Sequence, residues 1–291
     1  MELEFISELG KRVVVFDGAM GTSLQALVGP GDYGDYEGCT EALNLTRPDL
    51  VQRVHASFLE VGCDAIETNS FGANAVVLGE YGLSDRAYEI NVAAARLARE
   101  VADSFSRSGK RRYVAGSIGP GTKLPSLGQI SPDEMLEMYR VQARGLMNGG
   151  VDLFIIETCQ DPLQAKLACI AVGDVMRDAG KRLPVIVQIT VERTGTMLLG
   201  TETTAALTAL EPYDYVDVIG INCATGPAEM IEHIQVLSGQ SPKFISCQPN
   251  AGLPENIDGR PVYTLSPEEL ARYLRQFVEE YGVNIVGGCC G

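Results

Sequence analysis

The sequence predicts an α/β protein folded as a (β/α)8 barrel, a TIM barrel, on three observations. Its 291 residues suit one such barrel, whose usual length is about 250 residues. Short runs of β-branched residues alternate with amphipathic stretches along the chain. Polar and reactive side chains recur at the C-terminal ends of those runs, where barrel enzymes carry their chemistry. One domain covering residues 1–291 is the expectation.

In order, the runs are RVVVFDG from Arg12, DAIETNS from Asp64, YVAGSIG from Tyr113 and DLFIIET from Asp152, then PVIVQIT from Pro184, DVIGINC from Asp217, KFISCQPN from Lys243 and NIVGGCC from Asn284. Nearly continuous apolar runs imply a parallel sheet covered on its outer face. The helical stretches between them include PDLVQRVHASFLEVG from Pro48, SDRAYEINVAAARLAREVADSFSRSG from Ser84, SPDEMLEMYRVQARGLMNGG from Ser131 and SPEELARYLRQFVEEYG from Ser266. Several open on a Ser or Asp cap and close on Gly, as helix ends prefer. Gly291 follows directly behind the eighth run, so the helix that would cover that strand is expected to be absent from this sequence. Either the sequence is a piece of a longer protein, or the segment before Val13 does part of the covering.

Composition narrows the function. A formal charge of −15 repels phosphate backbones, which argues against a nucleic-acid partner; the short GKRR around Arg111 is the one basic cluster. No apolar stretch approaches the roughly 20 residues of a membrane span, and the start is acidic and amphipathic rather than a secretory leader. Eight cysteines are too dilute for a disulfide scaffold, which fits a reducing, cytoplasmic setting. The two histidines, His55 and His233, both fall in helical stretches and read as surface or packing residues.

At the ends of the runs stand Asp17, then Glu67, Thr68, Asn69 and Ser70, then Ser117, Glu157 and Thr158, Asn222 and Cys223, Gln248 and Asn250, and last Cys289 and Cys290. A closed barrel brings them to one mouth. Adjacent cysteines are poorly placed to bridge each other, because the short link forces the geometry away from its preferred values. Cys223, Cys289 and Cys290 instead form a suitable thiolate set for zinc with a fourth position open. A thiol binding there loses its proton without a histidine base. The spacing alone leaves open that Cys223 and Cys290 are small buried residues closing the strand ends. Asp17 has the alternative of a loop cap, and Glu67 that of a core-facing partner of an arginine. Cys39, Cys63, Cys159, Cys169 and Cys247 read as packing residues. GSIGPGTK lacks the GK[ST] of a phosphate loop and reads as a tight active-site turn.

VFDGAMGT, EALNLTRPDLVQRVHASFLEVGCDAIETNSFGAN, GSIGPGTKLPSLG, GINCATGP, QPNAGLP and NIVGGCCG resemble the successive motifs of the homocysteine S-methyltransferase family, from about Val13 to Gly291. GSIGPGTKLPSLG and GTMLLGT are most similar to the homocysteine-binding domain of its cobalamin-dependent members. The resemblance implies Cys223, Cys289 and Cys290 as zinc ligands and as the catalytic centre. It places Glu157 on the substrate ammonium with Asp17 lining the pocket, and Gly18, Ala19, Thr68, Asn69 and Ser70 near the substrate carboxylate. Asn222 and Asn250 resemble asparagines near the metal, Asn250 being a candidate fourth ligand when no thiol is bound. The implied reaction is zinc-dependent methyl transfer to homocysteine, giving methionine, with methylcobalamin on a separate corrinoid-binding module as donor. Alternatives left open are betaine or S-methylmethionine as donor, another small thiol as acceptor, and a non-catalytic zinc or redox sensor built on the vicinal cysteines. A betaine cation asks for an aromatic cage; the chain has no Trp, and Tyr33 and Tyr36 are the nearest candidates.

Overall fold

The computed structural model describes residues 3–107, 110–253, 255–257 and 260–291. All eight expected runs are strands: β1 Val14–Val15, β2 Ala65–Glu67, β3 Tyr113–Ile118, β4 Leu153–Cys159, β5 Val185–Ile189, β6 Val218–Asn222, β7 Phe244–Gln248 and, after a short hairpin of β8 Glu255–Ile257 with β9 Arg260–Val262, β10 Ile285–Val286. They pair in parallel in the order β1-β10-β7-β6-β5-β4-β3-β2. A parallel bridge between Phe16 and Ala65 joins the two ends, with Asp64 N donating to Val15 O at 2.7 Å and Asp17 N to Ala65 O at 3.1 Å. The sheet is a barrel, as the sequence predicts.

Along each strand the inward-facing residues, two apart, change from apolar to polar at about the same height. Ala65 is followed by Glu67, Ala115 by Ser117, Ile155 by Glu157, Ile186 by Gln188, and Val218 by Gly220 and Asn222. The lower residues form one buried cluster of Val14, Phe16, Ala65, Ala115, Leu153, Ile155, Ile186, Val218 and Ile285. The barrel is therefore a dry core below and a polar chamber above.

The segment before Val13 does not cover the eighth barrel strand. Its helix Glu4–Leu9 lies under the barrel floor, where Phe5 and Leu9 join the inner cluster. Phe5 meets the rings of Tyr113 and Phe16 edge-on at 5.1 and 6.3 Å. Val15, which alternates outward from Val14, is 43% exposed on the outer face.

A fourfold device closes the bottom rim. The residue just before each even-numbered barrel strand, Asp64, Asp152, Asp217 and Asn284, accepts a backbone N–H of the preceding strand through its side chain, from Val15, Val114, Val185 and Ile245 at 2.8–3.0 Å. Its own N–H donates back to the carbonyl of that same residue at 2.7–2.9 Å. Arg12, Arg99 and Arg182 neutralise the three aspartates.

Candidate active site

The polar chamber opens at the C-terminal mouth as a cavity of about 290 Å³. Gly18, Ala19, Thr68, Asn69, Ser70, Glu157, Asn222, Cys223, Cys289 and Cys290 line it, together with Glu41, Glu67, Ser117 and Gln248. Asp17 and Asn250 sit just behind this lining. Strand β5 contributes nothing to the wall.

The floor is acidic. Glu157 accepts from Ser117 Oγ at 2.5 Å and Asn222 Nδ2 at 3.0 Å. It stands beside a register shift in β4 between Ile156 and Cys159, where Thr158 takes a left-handed φ of 57°. Asn222 locks that irregular backbone, accepting from Thr158 N at 2.8 Å and donating to Thr158 Oγ1 at 2.9 Å. Asp17 accepts the backbone N–H of Glu67 at 3.0 Å through Oδ2, while its buried Oδ1 has no partner. Burial holds all three carboxyls above their usual range, Glu157 at about 7. Among the described residues lining the cavity there is no Lys, Arg or His.

The three cysteines converge beside that floor, their Sγ atoms all within 4.8 Å of one another. Cys223 is held at a left-handed φ of 59°, its N–H donating to Gln248 O at 3.1 Å. Cys289 N donates to Pro249 O at 2.9 Å, and Cys290 O accepts from Ala251 N at 2.9 Å. Asn250 Oδ1 accepts the N–H of Cys290 at 2.9 Å, so this candidate fourth ligand is engaged in positioning the cysteine pair. The glycines before the pair let it approach β1: a Cβ at Gly287 would stand 2.9 Å from Phe16 Cβ and 3.0 Å from Asp17 O. Hydrogen bonds from Cys223 and Cys289 pull the Cys290 thiol well down.

The wall opposite is a stitched pair of loops. Asn44 Nδ2 donates to Asn69 O at 2.7 Å, Asn69 Nδ2 to Thr40 O at 2.8 Å, and Gly72 N to Glu41 Oε1 at 2.7 Å. Thr68 and Ser70 hydroxyls bond each other and the β3 backbone at Ser117. The side chains of Thr68, Asn69 and Ser70 are thus committed to the protein. Tyr33 packs among Leu24, Leu43, Leu50 and Val54, and Tyr36 against a second loop cluster; neither lines the cavity.

A family model described as homocysteine S-methyltransferase matches residues 14–291. The chain belongs to the homocysteine S-methyltransferase family. A methionine synthase of Mycobacterium tuberculosis (strain ATCC 25618 / H37Rv) is 47% identical over 291 residues, which is all of this chain and 24% of that protein. A methionine synthase of Mycobacterium leprae (strain TN) is 46% identical over the same span. The chain thus spans about a quarter of the length of these relatives. The crystal structure of the homocysteine methyltransferase MmuM from Escherichia coli, in its metallated form, matches with a TM-score of 0.78 at 22% identity, covering 98% of this chain and 94% of that one. At that identity the likeness speaks for the shared barrel.

Motif reading singled out the cysteines, Glu157 and Gly18, which the structure brings to the cavity, whereas of the GSIGPGTK turn only Ser117 reaches it. It left Glu67 divided between wall and core, and it missed Glu41, Asn44 and Gln188. Among the described residues Glu67 has no arginine partner; Gln248 donates to it instead. The inward parity of each strand was the signal that would have placed Glu67 and Gln188 in the chamber.

Proposed function

We propose that this barrel binds zinc through Cys223, Cys289 and Cys290 and methylates homocysteine to methionine, with methylcobalamin on a separate corrinoid-binding module as donor. The observation that carries the reading is the meeting of three sulfurs within 4.8 Å and an acidic floor without a protein cation. Tetrahedral zinc at about 2.3 Å from each sulfur needs sulfurs about 3.8 Å apart, which sulfurs within 4.8 Å of one another can meet. Among the described residues no other His, Cys, Asp or Glu joins this group, which supports an open fourth position over a closed sensor site. When bound, zinc would hold the substrate sulfur as thiolate at neutral pH.

The protein's own residues bind and orient. Glu157 and Asp17 offer their carboxylates to the substrate ammonium, a charge-assisted contact in a sheltered cavity. Asn222 keeps Glu157 aimed inward. Gly18 and Ala19 present the start of the helix Met20–Leu27, whose first turn has no side-chain cap; such an N-terminus favours the substrate carboxylate. With ammonium and carboxylate fixed at two points, the thiol is directed to the cysteine trio, which is catalysis by positioning. Among the described residues lining the cavity Phe71 is the only aromatic one, short of the several rings a betaine cage needs, which supports a corrinoid donor over betaine. No described helix is long and apolar enough to cross a membrane, in keeping with a cytoplasmic setting.

Zinc X-ray absorption with and without homocysteine tests the reading. Sulfur ligation should rise from three to four on adding homocysteine. Unchanged ligation would sink the enzyme and favour the sensor.

A further inference from the structure

Glu67 is the charged side chain on the cavity floor that neither the motifs nor the resemblance assigned. It stands at the inward position that ends β2. Gln248 Nε2 donates to its Oε1 at 2.7 Å; Gln248 Oε1 in turn accepts from Gln188 Nε2 at 2.6 Å, which also reaches Ser246 Oγ at 3.1 Å. This chain of amides crosses the barrel from β5 through β7 to β2 and fixes the Glu67 carboxyl in place. The neighbouring Glu157 carboxyl repels its charge, and its backbone N–H holds Asp17. Three carboxyls therefore converge, one of them with a buried oxygen lacking any partner, and no protein cation lines the cavity to balance them. Such an arrangement is costly by itself, because like charges are crowded out of water. A primary ammonium offers three N–H donors, enough to serve both carboxyls that line the cavity, Glu67 and Glu157, with Asp17 behind them adding to the negative field.

We propose that Glu67 is a specificity residue that accepts one N–H of the substrate ammonium beside Asp17 and Glu157, with Gln248 as its positioning residue. The subsite then takes thiols with a primary ammonium and refuses desamino or N-alkylated ones. The inference rests on the homocysteine reading of the same cavity.

The test is calorimetric titration of the zinc-loaded chain with L-homocysteine and with 4-mercaptobutyrate, which keeps the thiol and carboxylate but lacks the amine. Glu67→Gln should lose about tenfold to a hundredfold in homocysteine affinity, as for loss of a charge-assisted hydrogen bond, and leave 4-mercaptobutyrate nearly unchanged. Gln248→Leu, which keeps the charge and frees its orientation, should lose a smaller part of the same preference. Melting of ligand-free Glu67→Gln should hold or rise, since a crowded carboxyl is removed. Equal losses for both thiols with a lower melting temperature would show a structural role and overturn the assignment. Unchanged homocysteine affinity in Glu67→Gln, with Glu157→Gln impaired, would overturn it and leave the homocysteine reading standing. A wild-type chain that binds no homocysteine would overturn both.

Discussion

Glu157 accepts from two neutral donors, Ser117 and Asn222, and among the described residues no Lys, Arg or His lines the cavity beside it, so a cation from outside is what would stabilise its charge. Glu157→Gln should weaken homocysteine binding by about tenfold to a hundredfold, since a charge-assisted hydrogen bond contributes roughly 1.5–3 kcal/mol. Mercaptoethanol, without an amino group, should bind as before; titration of the zinc-loaded protein with both thiols checks this. His55 is a different kind of buried residue: both ring nitrogens lack partners, and burial lowers its pKa from 6.5 to about 3. Below pH 6.5 the unfolded chain takes up a proton that the folded one refuses, so stability falls as the pH drops from 6.5 toward 3. Between pH 6.5 and 5.5 this should amount to about 1 kcal/mol. Urea unfolding of wild type and His55→Leu at those two values should show the acid loss reduced by that amount in the variant. Residue types alone did not reveal this, because a histidine on a helical stretch looks the same whether its face meets water or the sheet.

The strands were legible as elements because each is a β-branched run too short for a helix. Their lengths were less so. Strands β1 and β10 keep two paired residues each, since the chain beyond them bends to build the chamber at Asp17–Ala19 and Gly287–Cys290. The hairpin of β8 and β9 was missed because its stretch is polar, interrupted by prolines and without an alternating pattern. The rim clamps were in plain view, since Asp64, Asp152, Asp217 and Asn284 each open a run, but a residue before a strand has no periodicity to announce its role. Asn284 is a natural control: an amide oxygen does there what a carboxylate does at the other three. Asp217→Asn should therefore keep the N–H of Val185 satisfied and cost only the Arg182 ion pair, about 0–1 kcal/mol. Asp217→Ala should cost about 1–3 kcal/mol more, the penalty of an orphaned buried N–H. Chemical denaturation of both variants separates the two.

At the scale of the whole molecule, the barrel and its cysteine trio were legible because both arise from the order of motifs along the chain. The acidic network was not, because it depends on which strands face each other across the chamber. Free methylcobalamin should support slow methylation of homocysteine by this chain, and glycine betaine none; methionine formation with each donor is the measurement. Betaine turnover abolished by changing both Tyr33 and Tyr36 to Ala would move the donor assignment. The floor helix has a consequence for the order of events. With Phe5 and Leu9 sealing the lower end, the proposed reaction would bring homocysteine, methionine and the incoming methyl group through one doorway. A bulky donor seated there shuts in whatever lies beneath, so homocysteine must arrive first and methionine must leave last. Mixing the chain with donor before homocysteine should then give a slower first turnover than mixing in the reverse order.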